Sequence, residues 1–273
     1  GLARFDTAFM GHLRFLIGNV CRTMFHNLTG GAFGKAPRGV PPQVAKYYRS
    51  LWCASVNFAT LSDITTVTMG PSLKKRQKLG GRLSDALSEL FLMSAVLKRY
   101  EDDGFPPADA PIVELSMRNS LFRFQDALAG AIRNYPIASM RLPLNLLIFP
   151  VGGHRKPASD ELGHTVAELV QKPGGTLDRL SRYIYISNDP EDITGRLEVA
   201  FKKAVEVEPA QKKLDLAIRQ GKVKRVLGTD WVGEAEQQGI LTTEEAVDVR
   251  ESERLAERAL QVDHFDPKDI LRK

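Results

Sequence analysis

The chain is predicted to be all-α, an antiparallel bundle of long helices followed by a smaller helical C-terminal subdomain. Three observations predict it. Apolar residues recur at steps of three and four over four long runs, the breaks between those runs are short and carry Gly or Pro, and the second half holds shorter runs of the same kind. The clearest run is Ser72 to Gly104, SLKKRQKLGGRLSDALSELFLMSAVLKRYEDDG. Here Leu83, Leu87, Leu90, Ser94 and Leu97, with Ala86, Met93 and Tyr100 beside them, share one face, while Arg82, Asp85, Glu89 and Lys98 look to water.

In order along the chain, a first helix is expected from about Ala8 to Leu28, with Phe5, Phe9, Leu13, Leu16 and Val20 at helical spacing and Thr29-Gly30-Gly31 closing it. Because that spacing begins so early, the chain is expected to open inside an ordered region and to be the C-terminal piece of a longer protein. The second helix opens at Pro42, which suits a first helical turn. Val44, Tyr48, Leu51, Ser55, Phe58, Ser62 and Thr65 form its stripe, and Gly70-Pro71 ends it. The third is the run above, weakened at Gly80-Gly81. The fourth reaches from about Ala108 or Pro111 to Asn134, with Val113, Met117, Leu121, Phe124, Leu128 and Ile132 on its buried side, and Tyr135-Pro136 stops it.

The apolar run Leu144 to Phe149 is bracketed by prolines and reads equally as a strand or a short buried helix. Beyond it, helices are expected over Ser159–Gln171, Thr176–Tyr185, Ile193–Val207, Pro209–Arg219, Trp231–Gln238 and Thr243–Leu260, several with hydroxyls and acids at their starts. Two regions follow from this pattern: residues 1–140 as the long-helix bundle and 141–273 as the helical subdomain.

Composition narrows the function. The 273 residues, 43% hydrophobic and 26% charged, are ordinary for a globular protein with a substantial core. The net charge of +5 is mild and dispersed, which argues against a nucleic-acid binder. The one short basic cluster, Lys74, Lys75, Arg76 and Lys78, reads as a solvated helix end or as a seat for a phosphate or lipid headgroup. No apolar run approaches the roughly 20 residues of a membrane span, and no secretory signal pattern is present. Cys21 and Cys53 sit on apolar helical stretches and read as buried thiols in a reducing compartment.

No motif announces chemistry. His154 and His164, with Asp160 and Glu161 between them, lack a third ligand at helical spacing, so no metal site is expected. Gly152-Gly153-His154-Arg155-Lys156 offers backbone N–H groups and cations but not the spacing of a phosphate-binding loop. Glu89, Glu101, Glu114 and Glu161 are conceivable bases, each with a routine surface or capping role, and Tyr183, Tyr185 and Trp231 read as packing anchors. No catalytic residue is assigned, and cofactor-binding residues are left open.

Three segments carry a resemblance: RLSDALSELFLMSAVLKRYEDDG at Arg82–Gly104, LNLLIFPVGGHRKPASDELGHTVAEL at Leu144–Leu169, and VDHFDPKD at Val262–Asp269. In this order they resemble the C-terminal region of the large bacterial FadE-type, long-chain acyl-CoA dehydrogenases. Gly11 to Leu61 is similar to the piece joining that region to the dehydrogenase fold. The resemblance implies a FAD flavoprotein that removes two hydrogens from a fatty acyl-CoA thioester in β-oxidation, giving the trans-2-enoyl-CoA. It further implies an electron-transfer acceptor protein, a homo-oligomer, and a cytoplasmic location with contact to the inner membrane surface. The family's flavin-contacting segment and catalytic glutamate lie upstream of the matched region, so no such residue is carried onto this chain. A second reading makes the chain a non-catalytic helical module for interaction or membrane docking.

Overall fold

A computed structural model describes residues 2–153, 155–187, 189, 191–226 and 228–261, so His154 and the VDHFDPKD segment lie outside the described residues. All regular structure among them is helical. The chain divides into two compact units, Gly1–Glu168 and Leu169–Lys273. The expected long-helix bundle, residues 1–140, lies within the first unit.

The first unit holds α1 (Leu2–Leu28), α2 (Pro42–Met69), α3 (Gln77–Asp102), α4 (Ala110–Arg133) and α5 (Ala138–Ile148), and α6 (Asp160–Val170) runs through the division. A 3-10 turn over Gly70–Lys75 leads into α3. Gly80 and Gly81 are accommodated inside that helix. Helices α3 and α4 make the most extensive helix pair, and α2 packs on both.

The core is built at their seam. Ala86, Met93 and Leu97 of α3 meet Met117, Leu128 and Ala131 of α4, all without solvent exposure, and Leu61 of α2 completes the layer. Stripes of this kind drive association at about 25 cal/mol per Å² of apolar surface buried. The buried stripe of α3 runs Leu79, Ala86, Leu90, Met93, Leu97, Tyr100, one step round from the expected one. Leu87 and Ser94 face solvent, and Glu89 is buried instead of looking to water.

The segment Leu144 to Phe149 is helical up to Ile148. Its burial pattern shows why: Leu144 and Ile148, four residues apart, enter the core of the first unit, whereas Leu146, which a strand would place beside them, is 55% exposed. Pro143 sits inside this helix. The same burial ties residues 138–148 to the first unit.

The second unit comprises α7 (Thr176–Ser181), α8 (Ile193–Glu206), α9 (Glu208–Arg219), α10 (Trp231–Gln237) and α11 (Thr243–Leu260). Helix α7 stops four residues short of Tyr185, and Tyr183 and Tyr185 are strongly exposed instead of acting as anchors. Trp231 does pack, half-buried against a small core of Leu214, Val223, Val232, Leu241 and Val249, with the Arg225 guanidinium 5.2 Å from its ring centre. Thr242 and Glu245 form a reciprocal capping box at the start of α11. Lys203 joins α8 to α11 through Asp248 at 2.7 Å.

Candidate functional site

Helix α1 is the anomaly of the first unit. No described side chain of α1 enters the buried apolar cluster. What it turns toward α2 is polar: Asn19, Thr23 and Asn27, spaced four residues apart, are buried. Asn19 Nδ2 donates to Asp63 Oδ2 at 2.9 Å, the Thr23 hydroxyl lies 2.7 Å from that of Thr60, and Asn27 Nδ2 donates to Asn57 Oδ1 at 2.8 Å. Asn27 Nδ2 also reaches the Leu147 carbonyl at 2.9 Å, so one amide ties α1, α2 and α5 together. Each of these three buried side chains is thus matched, as burial of polar groups requires. The loop after α1 lies tight on α2 as well, where a Cβ on Gly34 would come within 3.0 Å of the Arg49 backbone.

A neighbouring face of the helix is apolar and uncovered. Met10, Leu13, Ile17, Cys21, Met24 and Leu28 follow one another at steps of three and four, and all are exposed. Met10 and Ile17 are 60% and 55% exposed. Phe5 and Phe9 stack beside this stripe with ring centres 6.1 Å apart, and Phe33, next to Phe25, extends it beyond the helix. An amphipathic helix normally buries its apolar face. Here Asn19, Thr23 and Asn27 are inward, while the apolar stripe is left outward together with Asp6, Arg14 and Arg22. Cys21 lies on that outward stripe, contrary to its expected burial.

Where α1, α2, α4 and α5 meet, a cavity of about 80 Å³ is lined by His26, Cys53, Asn57, Gln125 and Arg155 among others. Trp52 Nε1 donates to His26 Nε2 at 3.3 Å, which assigns the ring hydrogen to Nδ1. Cys53 donates to Asn27 Oδ1 at 3.4 Å, and burial pushes its thiol up while the Arg155 charge partly opposes the rise. Such a thiol is a poor nucleophile. The Arg155 amide donates to Gln125 Oε1 at 3.1 Å, which anchors the chain just past Gly152-Gly153. The space suits a few waters, not an acyl chain or a flavin ring.

The carboxylates singled out from the sequence do not converge. Glu89 pairs with Arg123 at 3.4 Å, Glu101 accepts from the Tyr48 hydroxyl at 3.3 Å, and Glu114 pairs with Arg118 at 2.6 Å. Glu161 is exposed in the first turn of α6, as is His164 one turn later. Tyr47, lying beside Glu114, has its phenol pushed up to about 12, first by burial and then by that carboxylate. Among the described residues no group of three His, Cys, Asp or Glu side chains is placed to hold a metal. Nor is any described helix long and apolar enough to cross a membrane.

The basic cluster gains members that the linear sequence does not show. Lys75, Arg76 and Lys78 share an open groove of about 670 Å³ with Arg82 and with Arg141 of α5.

Comparison with known proteins agrees with the resemblance at family level. No solved structure matches the chain. Residues 1–265 match the family described as "Acyl-CoA dehydrogenase, C-terminal, bacterial type". A match over nearly the whole chain, on an all-helical fold, places this protein in the bacterial-type acyl-CoA dehydrogenase C-terminal family.

Proposed function

We propose that this chain is the rear helical part of a FAD-dependent, long-chain acyl-CoA dehydrogenase of fatty acid β-oxidation, and that its α1 is the joint to the catalytic part. The observation that carries the reading is the inverted helix: polar Asn19, Thr23 and Asn27 inward, apolar Met10, Leu13, Ile17 and Met24 outward. The family's description as C-terminal supports a dehydrogenase fold on the N-terminal side. The outward stripe is at that end of the chain. We infer that the preceding dehydrogenase fold is what covers it.

No residue of this chain is assigned to the flavin. The cavity beside His26 and Cys53 is too small for an isoalloxazine ring. No step of the oxidation is derived from this chain's residues. The redox and acid–base chemistry of the oxidation would be supplied by a flavin and a carboxylate held in the dehydrogenase fold. A long-chain acyl-CoA substrate, an electron-transfer acceptor protein and a homo-oligomer belong to the same proposal.

The test is the complete reading frame. Purified, it should be yellow and should bleach when palmitoyl-CoA is added, whereas residues 1–273 alone should be colourless and inert. Flavin bleaching by the isolated chain, or a complete protein that is colourless and inactive on acyl-CoA, overturns the reading.

A further inference from the structure

We propose that the groove between the start of α3 and the start of α5 is a binding site for a phosphate-bearing anion. Five cations line it, Lys75, Arg76, Lys78, Arg82 and Arg141, with Asn134 beside them, and no carboxylate does. Elsewhere on α3 and α4 four cations are matched: Lys98 with Asp102, Arg99 with Asp103, Arg118 with Glu114 and Arg123 with Glu89. Within the groove none of the five makes an ion pair among the described residues. Five like charges facing one hollow repel one another, and an anion relieves that repulsion.

Two of the cations are held in place for the task. Arg141 Nε donates to the Tyr135 carbonyl at 2.8 Å, which holds the side chain by one nitrogen and gives its two terminal nitrogens no partner among the described residues. Arg82 lies across Gly130 of α4, where a Cβ would come within 3.2 Å of Arg82 Cδ and Nε; the missing side chain makes the slot. A guanidinium already ordered loses less freedom on binding, and its fork matches two phosphate oxygens. The start of α3 adds to this. No side chain caps its first turn, and no acid lies there to meet the positive end of the helix dipole.

The shared chemistry is a phosphomonoester or diphosphate, supplied either by a soluble phosphate compound or by a phospholipid headgroup. The site stands whether or not α1 docks on a dehydrogenase fold, because it uses neither α1 nor the parent activity.

The experiment titrates the full chain with sodium pyrophosphate by calorimetry, and in parallel sediments it with phosphatidylglycerol and with phosphatidylcholine vesicles. Saturable binding is expected, weakening about tenfold or more when salt is raised from roughly 0.05 to roughly 0.5 M. Arg141→Glu and Lys78→Glu should each weaken it about tenfold, and Lys98→Glu should leave it unchanged. Lys78 is exposed and guards against a folding defect in the Arg141 variant. Pyrophosphate binding assigns the site to soluble phosphates. Binding to phosphatidylglycerol vesicles alone, lost in both variants, supports the site and assigns it to headgroups. Failure to bind either probe, or binding that both charge reversals leave intact, overturns the proposal.

Discussion

The hydroxyl of Thr23 on α1 lies 2.7 Å from the hydroxyl of Thr60 on α2, and both side chains are shut off from solvent. This pair sits mid-way along a seam in which hydrogen bonds, rather than apolar contacts, fasten α1 to the rest of the first unit. Each hydroxyl has a further acceptor, the Val56 carbonyl for Thr23 at 3.5 Å and the Asn19 carbonyl for Thr60 at 3.3 Å.

Thr23→Val and Thr60→Val should each lower stability by about 1 kcal/mol, the net worth of a buried hydrogen bond. The double variant should lose clearly less than the sum of the singles, because the second change removes a hydroxyl whose partner is already gone. Urea melts of the four proteins measure this. Strict additivity would mean the two hydroxyls are not coupled and the seam is misplaced.

The register of α3 is tested by two leucines three residues apart. Leu90 is buried in the core and Leu87 is 53% exposed. Leu90→Ala should cost about 2 to 5 kcal/mol, whereas Leu87→Ala should stay within about 0.5 kcal/mol. Equal losses in chemical denaturation would contradict the observed face.

Alkaline stability should depend on Tyr47. Its phenol is raised to about 12 in the fold, mainly by burial, above its ordinary value of 10.0. The native state therefore holds a proton that the unfolded chain gives up between those values. The contribution is fully present below about pH 10 and is lost as pH rises toward about 12. Tyr47→Phe should flatten the fall in stability across that window, read as melting temperature against pH. An unchanged slope would place the phenol in water.

Much of this fold is written in the spacing of apolar residues, and the exceptions have physical causes. Periods of 3.6 locate α2, α3 and α4 closely because each is long and ends at Gly, Pro or an acidic turn. The stripe on α1 is equally legible, but periodicity says only that a face wants a partner, not where that partner is. The signal that could have shown its direction is Asn19, Thr23 and Asn27 at four-residue steps, three buried polar residues on one line. For Leu144 to Phe149, a six-residue apolar run holds too few positions to separate period 2 from 3.6. Only the burial of Leu144 and Ile148 without Leu146 decides it. In the basic groove Lys75 to Lys78 are visible as a cluster, but Arg141 arrives from a helix some sixty residues later, and tertiary convergence leaves no trace in local sequence.

Alkylation of Cys21 tests whether the outward stripe of α1 is covered by a dehydrogenase fold. The Cys21 thiol is exposed on that stripe, while Cys53 is half-buried beside Asn27 and its thiol is pushed up by burial. The rate of Cys21 alkylation should be measured in this chain and in the complete protein, with the site identified by peptide mass. Labelling should be rapid in the isolated chain and about tenfold or more slower in the complete protein. Equal rates in the two would show that nothing covers α1.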